Sequence, residues 1–522
     1  MGELKKVKDG KQNIFEEVID NLMAEGLDIP SDFIEDLPVE EKREFILNCL
    51  IPEEGPTINE MFKNIKCSKT RSEHLKNSIE TIKEFIKVGK QEVKKYGEVY
   101  TPITLVQEML DTLPKDVWSN PDLKWLDPAN GMGNFPLVVI VRLMKGLKDW
   151  EPDVEKRYKH IIENMVYVSE LQPRNCFIYL SLVDPNDEYD VNLYCGSFLD
   201  DAFNEHMKDV WGLDKFGVVY GNPPYNEEFS NSGTAKDLFD KFIFKSSDIS
   251  DLILMITPSR WFSKGNLKKL RKILLNTKYI KTFEKSSDVF KGTEITGGVS
   301  YFLYERNRVG KTNFNGFEVS LKEQIELFGC ILYDQSNYDL VSNIVKKTNS
   351  ESKLNCFNSK GYFGIKTNNI QNKGDINCFY SNQKGIKYNM LKNKDGRYYS
   401  KVNDFKDSNS KLNKWKVITS SAYGANPKGL GKISIINPND ICSESFIFFD
   451  FESHEESKNF INFLDSKLVK FLISLRKNKQ DVTSKVFELV PQLNFKKQWD
   501  NDKLKKHFNI TDKEWEFIES II

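Results

Sequence analysis

An apolar run, Phe216-Gly217-Val218-Val219-Tyr220-Gly221, ends abruptly in Asn222-Pro223-Pro224-Tyr225. The two prolines fix φ at successive residues and remove two backbone donors. The turn therefore presents the Asn222 side-chain oxygen, a backbone carbonyl and the Tyr225 ring together, a trio suited to the amino group of a planar base. Upstream, Leu126-Asp127-Pro128-Ala129-Asn130-Gly131-Met132-Gly133-Asn134-Phe135 leaves another apolar run and opens a helix. Gly131 and Gly133 let the backbone turn tightly and approach a ligand, and the helix N-terminus adds N–H donors. No third glycine stands where a full dinucleotide fingerprint needs one. Glu170 ends the run Val166-Tyr167-Val168-Ser169-Glu170, where a carboxylate suits a pair of ribose hydroxyls. Earlier still, Thr101 and Pro102 precede an amphipathic segment from Leu105 to Leu113, with Thr101 placed to cap it and Pro102 at its first position. Each feature alone has a plain alternative: a surface turn, a tight strand–helix connection, an exposed strand-end carboxylate. Lys236-Asp237-Leu238-Phe239 and Ile256-Thr257-Pro258-Ser259-Arg260-Trp261-Phe262 read as core packing.

The elements that position these residues follow from the pattern of apolar runs. From about residue 90 to 307, short runs (Leu123–Asp127, Met165–Leu171, Val191–Phe198, Phe216–Gly221, Asp251–Pro258, Val299–Tyr304) alternate with amphipathic stretches such as Phe135–Leu147, Leu238–Phe244 and Leu267–Leu275. That alternation predicts βαβ units in a doubly wound, Rossmann-like α/β sheet, mostly parallel with helices on both faces. Ligands bind such sheets beyond the carboxyl ends of the strands, where Asp127, Glu170, Ser197 and Asn222 fall. Residues 1–88 read as a helical accessory region and 89–307 as the sheet domain. Residues 308–435, rich in Asn, Lys, Gly and aromatics, form an irregular or β-rich module. Residues 436–522 return to helix, with Phe460, Ile461, Phe463, Leu464, Leu468, Phe471, Leu472 and Leu475 as an apolar stripe.

The 522 residues, 39% hydrophobic and 29% charged, have room for two to four domains of an ordinary globular kind. No stretch has the apolar length of a membrane span, and the N-terminus carries no secretory apolar region. The eight cysteines include no Cys-x-x-Cys pair and the five histidines are dispersed, which argues against a zinc site or disulfide framework and for a reducing cytoplasm. The net charge of −1 hides an asymmetry. Residues 1–60 carry about ten more acidic than basic side chains, and 345–432 about thirteen more basic than acidic. A basic block of that size is the footprint of a polyanion, or else a solvated lysine face.

The order of these features carries a resemblance. Thr-Pro before a helix, Asp-Pro-Ala-x-Gly-x-Gly-Asn-Phe, a strand-end Glu and then Asn-Pro-Pro-Tyr resembles the γ-class N6-adenine DNA methyltransferases, above all those of type II restriction–modification systems, over about residues 97–305. Lys428-Gly429-Leu430-Gly431-Lys432 and Lys479-Gln480-Asp481 are more loosely similar to their C-terminal parts. The resemblance implies S-adenosylmethionine as cofactor and no metal. Thr101 and Pro102 would lie near its methionine end, Asp127, Gly131 and Gly133 along methionine and ribose, and Glu170 at the ribose hydroxyls. Asn222 and Pro223 would be the acceptors for the target amino group, Pro224 the stiffener and Tyr225 the stacking wall. Such enzymes usually hold the cofactor adenine with an Asp-Phe pair after the third strand. This chain has Ser197-Phe198 instead, with Asp200 and Asp201 shortly after, so Phe198 keeps the ring contact while the usual carboxylate is missing. Phe290 matches the family's second aromatic wall loosely.

The implied activity is sequence-specific methylation of a flipped adenine in double-stranded DNA, within a restriction–modification or phage-defence system whose cognate endonuclease would be a separate chain. The same turn occurs in methyltransferases of RNA and of protein glutamine. A DNA-binding modification subunit of a larger restriction assembly, or a DNA-binding protein with an inactive methyltransferase domain, are further readings. The roughly 200 residues after Tyr304, with their basic block, favour DNA. Base–aromatic stacking is worth about 1–3 kcal/mol, no more than the few kcal/mol that unstacking costs, so backbone contacts from 345–432 must contribute to flipping. Affinity for duplex DNA is accordingly expected to fall steeply between about 50 and 200 mM salt. A binding titration checks this, and a flat salt dependence would return the block to a solvated face.

Overall fold

The computed structural model describes residues 56–88, 100–227, 236–290, 295, 297–332, 335, 338–351, 354–367, 372–380, 391–393, 398–423, 429–477 and 481–522. The acidic stretch before residue 56, and Lys291, Gly292, Lys428, Lys479 and Gln480, lie outside the described residues. The chain divides into two compact units, Met1–Val319 and Ser320–Ile522. Among the described residues no helix is long and apolar enough to cross a membrane.

In the first unit a helical pair, α1 (Pro56–Lys66) and α2 (Arg71–Val88), precedes α3 (Ile103–Leu110). Then strands and helices alternate: β1 (Trp125–Asp127), α4 (Asn134–Gly146), α5 (Val154–Asn164), β2 (Val166–Glu170), α6 (Pro173–Val183), β3 (Asn192–Cys195), α7 (Asp201–Asp209), β4 (Phe216–Gly221), α8 (Phe239–Ile249) and β5 (Ser250–Pro258). After α9 (Lys268–Ile273), the sheet is completed by β6 (Thr277–Phe283), β7 (Val299–Glu305), β8 (Thr312–Phe314) and β9 (Phe317–Val319). The nine strands lie in the order β3-β2-β1-β4-β5-β7-β6-β8-β9. The first five in that order run parallel, and β7 is antiparallel to both β5 and β6. This is the mixed α/β, mostly parallel sheet that the alternation predicts. The sheet continues past residue 307 through β8 and β9. Strand β6 was not among the predicted runs, because its lysines at 278 and 281 interrupt the apolar pattern and most of it stays partly exposed.

The order reverses between β1 and β4, so a crevice opens beyond their carboxyl ends. Burial sets the helices there more than propensity does. Helix α4 contains the β-branched run Val138-Val139-Ile140-Val141, weak helix formers, yet Leu137 through Ile140 are all buried beneath the sheet. Helix α2 adds Leu75 and Ile82 to that same core. Its Arg71 reaches the sheet domain through Glu155 (2.6 Å) and the Tyr189 hydroxyl (2.7 Å), with the guanidinium 3.9 Å from the Tyr158 ring centre.

The second unit opens with two helices, Leu321–Phe328 and Tyr338–Glu351, and then builds two four-stranded sheets. Strands Trp415–Ser420 and Phe446–Phe451 pair antiparallel along their whole length, carrying the β structure past residue 435. The apolar stripe of the C-terminal part falls on two helices, His454–Asp465 and Lys467–Arg476. Ser453 caps the first in a capping box, and Ser466 breaks the stripe and caps the second. Phe449, Phe460, Phe463 and Phe487 pack together at the centre of this unit.

Trp125 links the two strands that bear the crevice. Its ring stacks on Trp118 (centroids 4.8 Å apart, 27°) and meets Tyr220 of β4 edge-on at 5.9 Å. Trp125→Ala is expected to cost about 3–5 kcal/mol of unfolding free energy, measured by urea denaturation. Trp125→Phe keeps much of the packing and removes an enclosed indole N–H with no partner among the described residues. It should cost a small fraction of that amount, and equal losses for the two variants would refute this account.

Candidate active site

Asp127 is the last residue of β1 and only 1% exposed. Its Oδ1 accepts the Ala129 N–H at 3.1 Å, while Oδ2 is enclosed and has no partner among the described residues. Gly221, the last residue of β4, has φ +143°, and a Cβ there would sit 2.7 Å from Asp127 Oδ1. A glycine is therefore needed for the two strand ends to come this close. The Asp127 carboxyl thus lies beside the residue from which the Asn222–Tyr225 turn springs.

Glu170 ends β2 and grips the neighbouring loop. Its Oε2 accepts the Gly131 N–H at 2.7 Å, and Oε1 accepts from Gln172 N at 2.9 Å and Asn175 Nδ2 at 3.4 Å. Gly133 enters α4 at φ +102°, and a Cβ would lie 2.6 Å from the Tyr179 ring. Asn134 Nδ2 donates to the Thr101 carbonyl at 2.8 Å, tying the start of α3 to the start of α4. The expected cap differs. Helix α3 begins at Ile103 with Pro102 in the capping position and no side-chain hydrogen bond, so Thr101 does not cap it. Its Oγ1 is instead enclosed without a partner among the described residues, as are Asn130 Oδ1 and Asn134 Oδ1.

The turn itself begins with Asn222, half-buried with its side-chain oxygen enclosed. Pro223 is buried and Pro224 exposed. Tyr225 is half-buried, with its ring against the core of the sheet domain and its hydroxyl enclosed; burial pushes that hydroxyl far above the usual tyrosine range. Phe290 belongs to the same core at 2% exposure and presents no open ring face. At the end of β3, the Ser197 hydroxyl accepts the Leu199 N–H at 3.2 Å. Phe198 is 1% exposed and its ring is taken up by Phe242 (5.5 Å, stacked) and Phe203 (4.9 Å, edge-on).

The structure thus gathers Thr101, Asp127, Gly131, Gly133, Glu170 and Asn222 about one crevice, while Phe198 and Phe290 lie in packed cores. Pattern reading passed over Asn130 and Asn134, although both stand in the glycine motif, and over Gln172, Asn175 and Arg260, which follow strand ends. Unmet acceptors from Thr101, Asn130, Asn134 and a buried carboxyl fit a ligand that brings N–H or O–H donors and positive charge.

Residues 155–290 match the family described as Eco57I restriction-modification methylase. A Mycoplasma pneumoniae protein described as an uncharacterized adenine-specific methylase is 30% identical over 292 residues, covering 42% of this chain and 69% of that protein. Among known structures, the DrdV–DNA complex is similar at 12% identity, with 93% of this chain and 66% of that chain covered and a TM-score of 0.49. A modification subunit assigned to a type I restriction enzyme of Vibrio vulnificus is similar at 15% identity and TM-score 0.35. That match covers 47% of this chain, which spans about half, 51%, of that subunit.

Burial pushes the Asp127 carboxyl up to about 8; the Ala129 N–H opposes the rise and the neighbouring Glu170 charge adds to it. Because the folded form holds this proton more tightly than the unfolded chain does, the associated stability is complete below the ordinary carboxylate range. It is lost as pH rises towards 8. Asp127→Asn, which cannot ionise, is expected to flatten that loss, so the variant gains on the wild type in urea denaturation between pH 5 and pH 9. Parallel stability profiles would show that the carboxyl ionises normally.

Proposed function

Since the chain belongs to the adenine-specific methylases, we propose that it methylates the exocyclic N6 of an adenine in double-stranded DNA with S-adenosylmethionine as methyl donor. What supports this reading is the junction of Asp127 with Gly221, which brings a buried strand-end carboxyl beside the Asn222–Tyr225 turn. Thr101, Asp127, Asn130 and Asn134 would take the amino and sulfonium end of the cofactor, Glu170 the ribose hydroxyls, and Ser197 with Asp200 the rim towards its adenine. When bound there, S-adenosylmethionine supplies an electrophilic sulfonium methyl.

The chain's own part is to make the amino group nucleophilic. An exocyclic amine is a poor nucleophile because its lone pair is delocalised into the ring. The Asn222 side-chain oxygen and the Pro223 carbonyl each accept one of its N–H bonds, drawing the nitrogen towards a tetrahedral shape and localising the lone pair. Positioning and fixed dipoles supply the acceleration. The adenine must leave the duplex to reach these acceptors, and Tyr225 is the ring on which it stacks. The basic block of 345–432 attracts the phosphate backbone, and residues 308–435 with 436–522 serve as the target-recognition region. The setting is a restriction–modification system in the cytoplasm, with a separate endonuclease chain as partner.

Two measurements test this. Duplex DNA and labelled cofactor should yield N6-methyladenine, and DNA from an expressing host should carry it in one sequence context. Asn222→Ala should lower the single-turnover rate about 100- to 1000-fold while cofactor binding stays largely intact. A near-wild-type rate for that variant would remove Asn222 from the mechanism.

A further inference from the structure

The chain leaving the Asn222–Tyr225 turn runs into a buried charge cluster that the scheme above does not use. Residues 225–227 and 236–238 lie antiparallel: Leu238 N–H donates to the Tyr225 carbonyl at 3.1 Å, Glu227 N–H donates to the Lys236 carbonyl at 3.0 Å, and Asn226 bridges Asp237. The Asp237 side chain is only 4% exposed and that of Arg260 13%. Arg260, just beyond the end of β5, donates through Nε to Asp237 Oδ1 at 2.6 Å. One of its terminal nitrogens donates both to Asn226 Oδ1 at 2.7 Å and to the Tyr225 carbonyl at 3.2 Å. The second Asp237 oxygen accepts from Lys264 Nζ and from Asn266 Nδ2 (3.2 Å). The guanidinium also lies 5.2 Å from the Phe239 ring centre.

The cluster has a definite division of labour. Burial alone pushes the Asp237 carboxyl up, but Lys264, Arg260 and Asn266 outweigh it and hold it below the usual carboxylate range. A carboxylate so fixed orients one edge of the guanidinium and leaves the other edge for the turn. Prolines at 223 and 224 fix φ at those two residues, but nothing in them fixes where Tyr225 and Asn226 go next. The planar fork of an arginine can bridge a carboxylate, a backbone carbonyl and a side-chain carbonyl at once, which the single point charge of a lysine cannot.

We propose that Arg260, oriented by Asp237, is a positioning residue that fixes the exit of the Asn222–Tyr225 turn and thereby aims its two acceptors at the target amino group. The inference rests on the reading of that turn as the amino-acceptor site. Arg260 touches no substrate atom. It acts through the Tyr225 carbonyl and Asn226.

Arg260→Lys separates positioning from simple stapling, since it keeps a cation for Asp237 and loses the fork. With labelled cofactor and a duplex carrying the target adenine, the single-turnover rate should fall on the order of 10- to 100-fold, the scale of an ångström-sized misplacement. The cofactor Kd, the DNA KM and the melting temperature should stay close to wild type. Asp237→Asn should lower the same rate, and the double variant should be no slower than the worse single one, because both disable one unit. A wild-type rate for Arg260→Lys, a rate loss matched by equal losses in cofactor binding and melting temperature, or additive losses in the double variant would each overturn the positioning role. Wild-type enzyme run alongside keeps the two levels apart: product from wild type and Arg260→Lys at equal rates overturns only this role. Absence of N6-methyladenine from the wild type overturns the underlying reading as well.

Discussion

The constraint on which the site depends is the approach of the Asp127 carboxyl to Gly221. No side chain fits at 221, where a Cβ would lie 2.7 Å from a carboxylate oxygen. The register between β1 and β4 (Leu126 beside Val219) puts the two strand ends within one residue of each other, and the reversal of strand order at this pair opens the crevice just beyond them. Three features meet at this junction. The carboxyl is buried, Glu170 accepts the Gly131 N–H of the adjoining loop, and the Asn222–Tyr225 turn starts beside them. Moving β4 by one residue would turn Tyr220 to the opposite face of the sheet and break the edge-on contact with Trp125.

That crevice is a poor investment for stability alone. Enclosed acceptors on Thr101, Asn130, Asn134 and Asp127 have no partner among the described residues. Each buried polar group left in that state costs about 1–3 kcal/mol. Four of them together rival the 5–15 kcal/mol that separates folded from unfolded in a typical domain. Packing elsewhere must carry the difference, and the first unit has it: Trp125, Phe135, Leu137, Val139, Tyr179 and Tyr220 are buried around the site. The same unmet acceptors are what a cationic, hydroxyl-bearing ligand would satisfy.

How much of this was legible in the sequence depended on whether the signal was local. The five parallel strands could be read because each is a short apolar run that ends in a polar or special residue, and β4 was readable to the residue. The strand-end positions of Asp127, Glu170 and Asn222 were legible for the same reason. Strand β6 and the β8–β9 hairpin were not, because the lysines and partly exposed residues of β6 and the three-residue length of β8 and β9 leave no apolar run of the kind that marks a buried strand. The Thr101 cap was misread: Thr-Pro before a helix suggests a cap locally, yet Asn134, distant in sequence, takes the Thr101 carbonyl and the helix starts one residue later. Phe198 followed a strand end as expected but was absorbed by Phe242 and Phe203, partners that no spacing rule discloses. Arg260 and Asp237 were each visible as charges beside apolar runs. Their pairing spans the turn, and only the folded chain brings them together.

The turn shows why such long-range partners matter for this chemistry. Two acceptors for an amino group are useful only if they stay aimed while the nitrogen changes shape; acceptors that must reorganise lose the benefit of a low-dielectric site. The entry to the turn is rigid because β4 is paired to β1 as far as Val219 and to β5 as far as Gly221 and its partner Met255. Its middle is rigid because two prolines occupy successive positions. Its exit has no proline and no regular ladder, only the short antiparallel contact of 225–227 with 236–238. A buried ion pair is an expensive way to hold a backbone, since desolvating the charges offsets much of their attraction. An apolar contact would have been cheaper, but it could not grip a carbonyl oxygen. The need to hold that one atom in place is the physical reason for a charge cluster where the sequence pattern suggests only core.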